Sequence, residues 1–206
     1  VAVRDIVWRR PVDLGPAGSA VSHADLELLV DALDETRAVV VLTSPDGTEY
    51  ARHEVVIGAA FSGPQVDPQH LARGDALADP YALLARAGLA YGPAFRTVTA
   101  WRRLGPEAAV AELQTVADPG IVLVPGLLDG ALHSALLLLL VDGGSLHLPV
   151  RFAEIAIYEA PGPACLAHAR LVGRSGHEVS FDIDLLSADG CVLVAIRGCT
   201  FMRTGM

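Results

Sequence analysis

The sequence predicts an α+β domain in which antiparallel strands wrap around one long hydrophobic helix. Most of the chain consists of short apolar or alternating segments separated by turn residues, which is typical of antiparallel strands. The run from Ile121 to Val141 is instead almost wholly apolar and contains Pro125 near its start. Such a run indicates a helix that is buried on nearly all sides, and a sheet must cover it.

The first part of the chain reads as a meander of antiparallel strands. Ser44-Pro45-Asp46-Gly47 predicts a turn between two of them, because Pro presets φ at the second position and Gly tolerates a positive φ. A strand at the edge of this meander offers unpaired backbone groups to another chain, and Val3–Trp8 is a candidate. The expected strands are Val3–Trp8, Val21–Val30, Arg37–Thr43 and Glu49–Ile57.

A polar connection rich in Pro and Gly follows at residues 63–74 and is a candidate internal boundary. Asp79 is expected to cap a short helix that has Pro80 at its first position and Gly88 beyond its end. The long helix is predicted to begin at Pro125 and to end near Asp142. Strands are expected at 97–104, 108–113, 150–158, 166–172, 179–185 and 191–201.

Composition excludes several classes of function. The 206 residues carry a net charge of −9, and every one of the 15 basic residues other than histidine is arginine. Without lysine there is neither a Schiff-base lysine nor a P-loop lysine, and without a basic stripe nucleic acid is not an expected partner. The three cysteines form no C-x-x-C pair, so neither a disulfide framework nor a metal site is expected, and they suit a reducing cytoplasm.

The predicted helix carries one carboxylate, Asp129, and one imidazole, His133. A spacing of four residues places both side chains on one helical face. A carboxyl group among leucines must be hydrogen-bonded or face a pocket, and burial raises the pKa of such a group, so that it can serve as a general acid. A helix whose polar stripe simply faces water is the alternative. Pro125, Gly126 and the two polar residues make the run a poor transmembrane helix, and no signal peptide is evident.

Four segments resemble the motifs of polyketide synthase dehydratase domains. Ala90-Tyr91-Gly92-Pro93-Ala94-Phe95 resembles their Tyr-Gly-Pro-x-Phe signature, and residues 124–133 are similar to their His-Pro-x-Leu-Leu-Asp-x-x-x-Gln/His motif. Leu148–Phe152 resembles a strand start of the family, and residues 3–11 resemble the strand that follows its first helix. The order and spacing of the four segments agree across nearly the whole chain.

The resemblance implies a double hotdog, in which each of two sheets wraps around a central helix. The helix from Pro125 to Val141 would be the second of these helices, and we expect the first hotdog to be incomplete in this sequence. On this basis residues 1–65 are assigned to the remainder of the N-terminal hotdog, residues 66–90 to a linker with a short helix, and residues 91–206 to the C-terminal hotdog.

The resemblance also implies an activity, the removal of water from a 3-hydroxyacyl chain on acyl carrier protein to give a 2-enoyl thioester. Asp129 matches the family's acid, which protonates the departing hydroxyl, and His133 would hold Asp129 or a water. Tyr91, Gly92, Pro93 and Leu128 would bind substrate, whereas Phe95 is expected in the core. The substrate would be carried on phosphopantetheine, with no cofactor or metal. The implied partners are the carrier, neighbouring synthase domains and a second copy in a homodimer, but no membrane.

The sequence departs from the family pattern at one important point. The family's catalytic histidine lies in His-x-x-x-Gly-x-x-x-x-Pro, and none of the seven histidines stands in such a motif. Val124 also replaces the histidine that opens the second motif, and Ala90 replaces a glycine. Four alternatives therefore stay open beside dehydration by a larger domain of which this chain is one part: a non-catalytic scaffold, a pyran-forming cyclase, a double-bond isomerase and an acyl-binding hotdog protein without catalysis.

Overall fold

The computed structural model describes residues 1–9, 26–58, 62–116 and 120–204. Within them, eleven strands form one antiparallel sheet in the order β2-β3-β4-β1-β8-β11-β10-β9-β7-β6-β5. The strands are β1 (Ala2–Trp8), β2 (Glu27–Ala32), β3 (Arg37–Thr43), β4 (Glu49–Val56), β5 (Asp75–Ala76), β6 (Val98–Gly105), β7 (Ala108–Gln114), β8 (His147–Ile157), β9 (Ala164–Ser175), β10 (Glu178–Leu186) and β11 (Val192–Arg203).

The helices are α1 (Pro68–Leu71), α2 (Pro80–Arg86) and α3 (Pro125–Leu140), together with a 3₁₀ turn at Pro93–Phe95. Helix α3 lies against the concave face of strands β6 to β10, and from Ala131 to Leu140 every one of its residues is buried. This arrangement of a sheet curled around a hydrophobic helix is the α+β hotdog fold, and it confirms the predicted fold class. None of the described helices is long and apolar enough to cross a membrane.

Local sequence explains the ends of these elements. The turn at residues 44–47 forms as expected, with the Gly47 amide donating to the Ser44 carbonyl at 2.9 Å and Gly47 at a φ of +83°. Asp79 caps α2 by accepting from the Ala82 amide at 2.9 Å. Pro80 occupies the first turn of α2, and Gly88 follows its end at a φ of +93°.

The prediction of β1 as an edge strand is wrong. Strand β1 pairs with β4 on one side and with β8 on the other, so its backbone groups are already bonded. These pairings join the strands before residue 65 to those after residue 91. The free edges of the sheet are instead β2 and β5. The expected strand Val21–Val30 lies partly outside the described residues, and its described part contributes to β2.

The segment between β4 and α2 covers part of the convex face of the sheet. Leu71 of α1 packs there with Val110, Leu186 and Val192 in a small second hydrophobic cluster. A bridge between Gln65 and Cys191 attaches the segment to the sheet. The predicted connection at residues 63–74 is therefore ordered by contacts with the sheet, and it contains the short helix α1.

Candidate active site

Asp129 lies in the second turn of α3, at the boundary between the buried helix and an open pocket. Its side chain is 29% exposed, while the helix around it belongs to the main hydrophobic core. Pro125, Leu128 and Leu132 of the same helix line the pocket beside it. The carboxyl group therefore faces a cavity with apolar walls, which is the first of the two arrangements that the sequence allows.

His133 lies one turn further along α3, on the same face as Asp129. Its Nε2 is 3.0 Å from Oδ2 of Asp129, as the spacing of four residues predicts. The side chain is 1% exposed, and neither ring nitrogen makes a hydrogen bond of acceptable geometry within the described residues. The 3.0 Å contact is therefore close, but its geometry is not that of a hydrogen bond.

Tyr91 packs against the His133 ring in an edge-to-face arrangement. The two ring centroids are 4.2 Å apart with an interplanar angle of 64°. Burial and the neighbouring Asp129 carboxylate raise the pKa of the Tyr91 phenol to about 12. The phenol therefore keeps its proton throughout the physiological range and makes no hydrogen bond within the described residues, so it remains available as a donor.

Two glycines of α3 allow the segment that carries Tyr91 to approach the helix closely. A Cβ at Gly126 would lie 2.7 Å from the Ala94 carbonyl oxygen, and one at Gly130 would collide with Oγ1 of Thr97. Thr97 is buried and donates from Oγ1 to the Gly126 carbonyl at 2.9 Å. The glycines on either side of Asp129 thus fix the distance between the helix and the Tyr-Gly-Pro segment.

The pocket at Asp129 has a volume of about 340 Å³. Its far wall comes from the sheet, namely Trp8 of β1 together with Pro149 and Phe152 of β8. The Trp8 and Phe152 rings meet edge to face with centroids 5.2 Å apart. A volume of this size with apolar walls and one polar group suits an acyl chain that carries a single hydroxyl.

The structure brings together only some of the residues singled out from sequence. Asp129 and Leu128 line the pocket, and His133 and Tyr91 pack behind Asp129.

Gly92 is exposed, and Pro93 lines a separate groove of about 780 Å³ that also reaches Pro125. Phe95, expected in the core, is 41% exposed and lines that groove, because the 3₁₀ turn at Pro93–Phe95 directs its side chain outward. The expectation for Phe95 is wrong.

Sequence reasoning missed the sheet wall of the pocket and one tyrosine. Trp8 and Phe152 stand in segments that resemble the family, but no role in the site was expected of them. The pairing of β1 with β8 brings these two side chains together, and the local sequence of neither strand predicts that pairing. Tyr81 of α2 contacts both Tyr91 and His133 through its ring. Its position in a short capped helix gave no sign of these contacts.

No histidine of the described ranges lines the pocket beside Asp129. His53 lies on β4, where burial lowers the pKa of its imidazole. His168 lies on β9 beside Arg170. The described residues also contain no group of His, Cys, Asp and Glu side chains that could hold a metal ion.

Comparison with known proteins agrees with the fold and the motifs. Residues 58–205 match the family model described as the polyketide synthase dehydratase N-terminal domain. The chain belongs to the polyketide synthase dehydratase family.

One relative is a much longer protein than this chain. The spectinabilin polyketide synthase system protein NorA' of Streptomyces orinoci is 30% identical over 210 residues, which cover 95% of this chain and 6% of that protein. The chain thus spans a small fraction of the length of this multidomain relative.

Solved structures share the fold. The dehydratase domain of RzxB from Pseudomonas fluorescens superposes with a TM-score of 0.79 at 18% identity, covering 98% of this chain and 75% of that one. The pyran synthase domain from module nine of the sorangicin pathway gives a TM-score of 0.78 at 23% identity, covering 99% of this chain and 78% of that one.

Proposed function

We propose that this chain acts in a polyketide synthase as a dehydratase domain and that Asp129 is its proton donor. The substrate is a 3-hydroxyacyl chain held as a thioester on the phosphopantetheine of an acyl carrier protein. The observation that carries the proposal is the placement of Asp129, a carboxyl group on a buried helix that opens into an apolar pocket. Membership of the dehydratase family supports the same reaction.

The reaction requires an acid because hydroxide is a poor leaving group. A base removes the proton from C2, the electron pair forms the C2–C3 double bond, and the C3–O bond breaks. The proton of the Asp129 carboxyl group passes to the departing oxygen, so that the products are water and the 2-enoyl thioester. The apolar walls of the pocket favour this step because they limit the water that competes for the carboxyl proton.

The residues around Asp129 have supporting roles in this proposal. His133 is buried against the carboxyl group and holds it in position, while Tyr91 packs edge to face against the imidazole. Leu128, Trp8 and Phe152 pack against the acyl chain. The base at C2 is assigned to none of the described residues.

The arrangement also favours a second candidate, because one carboxyl group alone faces the pocket within the described residues. A double-bond isomerisation or a pyran-forming ring closure can proceed with a single acid–base group. In the ring closure, a hydroxyl oxygen adds to C3 of an enoyl thioester, and Asp129 would move the proton from that oxygen towards C2. Likeness of fold to a pyran synthase domain is compatible with this candidate.

The test compares the chain with two matched variants on a 3-hydroxyacyl thioester of N-acetylcysteamine and on the corresponding acyl carrier protein thioester. Asp129→Asn keeps the shape of the side chain but removes the acid, and we expect the rate of enoyl formation to fall about 100-fold or more. Asp142→Asn makes the same change just beyond the other end of α3, where Asp142 pairs with Arg103 at 2.8 Å, and we expect its rate to stay within twofold of the parent, a change of about 0.4 kcal/mol.

Three outcomes contradict or redirect the proposal. Equal rates for the parent and Asp129→Asn would show that Asp129 is not the acid. A parent that isomerises a 2-enoyl thioester or closes a hydroxyenoyl thioester, but forms no enoyl product from the 3-hydroxyacyl thioester, would establish the second candidate. A folded parent inactive on all three substrates would contradict both.

A further inference from the structure

We propose that Tyr81 is a positioning residue for the Asp129 site, because its hydroxyl ties the segment Tyr91–Val98 to helix α2 beside that site. Through that segment Tyr81 holds Tyr91 on the ring of His133, and His133 in turn contacts Asp129. The inference deepens the proposed function, but the contacts that carry it do not depend on any reaction.

The hydroxyl of Tyr81 bridges two backbone groups of the segment. It donates to the Phe95 carbonyl at 3.2 Å and accepts from the Val98 amide at 2.9 Å. Val98 is buried, so its amide has no access to bulk water once the hydroxyl is removed. The single hydroxyl of Tyr81 therefore bonds both the last residue of the 3₁₀ turn and the first residue of β6.

The ring of Tyr81 contacts three side chains of the same site. It meets Tyr91 with centroids 6.2 Å apart and His133 with centroids 5.9 Å apart, both edge to face. The Arg96 guanidinium lies 4.9 Å from the centre of the Tyr81 ring. The three aromatic rings thus form one cluster, and His133 is its member closest to Asp129.

Helix α2 gives Tyr81 a rigid base. Asp79 and Pro80 fix the first turn of the helix, and Tyr81 follows directly. On the other side of the segment, Thr97 is bonded to Gly126 of α3. The backbone hydrogen bonds within the 3₁₀ turn are local, from Phe95 to Gly92 and from Arg96 to Pro93. Among the described residues, Tyr81 therefore supplies a side-chain bond that joins this turn to a different element.

The experiment uses Tyr81→Phe, which removes the hydroxyl and keeps the ring, with Tyr158→Phe as the matched control. Tyr158 packs in the small cluster on the convex face of the sheet. Amide hydrogen exchange is measured at Val98, with the buried Leu137 of α3 as the reference for global stability. We expect Tyr81→Phe to speed exchange at Val98 about tenfold more than at Leu137, the effect of losing one hydrogen bond.

A second measurement follows the ring protons of His133 by NMR. We expect their shifts to change in Tyr81→Phe and to stay at parental values in Tyr158→Phe, because Tyr81 contacts both Tyr91 and His133 and Tyr158 packs in the cluster on the convex face. In the dehydration assay, kcat should fall in Tyr81→Phe while KM stays within about twofold. Exchange at Val98 that rises no more than at Leu137, or His133 signals that do not move, would overturn the inference. Neither readout needs turnover, so an inactive parent contradicts only the proposed function.

Discussion

Replacing Gly130 with alanine is expected to destabilise the fold, although alanine is the better helix former. The added Cβ would collide with Oγ1 of Thr97 and come within 3.1 Å of Cδ2 of Leu113. Both neighbours are buried, and Thr97 is held by its bond to the Gly126 carbonyl. Overpacking costs about 1–3 kcal/mol and loss of the Thr97 bond about 1 kcal/mol, against a gain of about 1 kcal/mol in helix propensity. We therefore expect a net loss of about 2 kcal/mol in the free energy of unfolding.

Urea unfolding of a double-mutant cycle checks the cause of this loss. In a Thr97→Ala background the colliding oxygen is absent, and the remaining contact with Leu113 is offset by the gain in helix propensity, so Gly130→Ala should cost close to nothing. The coupling free energy between the two positions should then be about 2 kcal/mol. For a chain of this size a loss of about 2 kcal/mol corresponds to a fall in Tm of about 4–8 °C. An equal cost of Gly130→Ala in both backgrounds would refute the explanation that Thr97 limits the space beside α3.

Two further predictions concern buried polar groups away from the pocket. Trp101→Phe removes the hydrogen bond that Nε1 donates to the Ser134 carbonyl of α3 at 3.1 Å. We expect the free energy of unfolding, measured in urea, to fall by about 1–3 kcal/mol. A fall near zero would show that this bond does not stabilise the fold. Burial and Arg170, whose Nη1 is 3.0 Å from Nδ1, lower the pKa of His168 to about 4. Because the folded chain binds this proton less tightly than the unfolded chain, the stability contributed by His168 is complete above about pH 6.5 and is lost as the pH falls towards 4. The decline should be shallower in His168→Gln, and equal declines would contradict this assignment.

The elements of the fold were predictable where the local sequence determines the backbone. Helix α3 begins at Pro125 as expected, because proline suits the first turn of a helix. The leucines that follow are apolar on nearly all sides of the helix, so the helix must be buried in a core. Strand β10 alternates between Ser180, Asp182 and Asp184 on one face and apolar residues on the other. That alternation fixes its face towards α3 without any knowledge of its neighbours.

Strand order was not predictable, because it depends on contacts between segments far apart in sequence. Ala2 pairs with Ala156, more than 150 residues away, and nothing in β1 itself distinguishes an interior strand from an edge strand. The wall formed by Trp8 and Phe152 is a consequence of that pairing. For the same reason the sequence indicated the acid of the pocket but not the surface that faces it.

The polar network on the convex face shows a second limit of sequence reasoning. Asp184 is almost fully buried, and its carboxylate oxygens lie 2.8 Å from Arg170 and 2.6 Å from Arg197. In the sequence, Asp184 looks like any solvent-facing residue of an alternating strand. The connecting segment that carries Leu71 covers this face of the sheet, and such cover is a tertiary feature. Burial of charged groups follows from it and not from the pattern of β10.

The placement of the substrate tests the central claim most directly. The measurement is a crystal structure of the chain with a stable 3-hydroxyacyl pantetheine amide. The proton-donor role of Asp129 requires the C3 hydroxyl to lie about 2.6–3.2 Å from its carboxyl group, with the acyl chain packed against the wall that Trp8 and Phe152 form. A ligand whose hydroxyl lies in the groove at Pro93, or on the convex face of the sheet, would contradict the account.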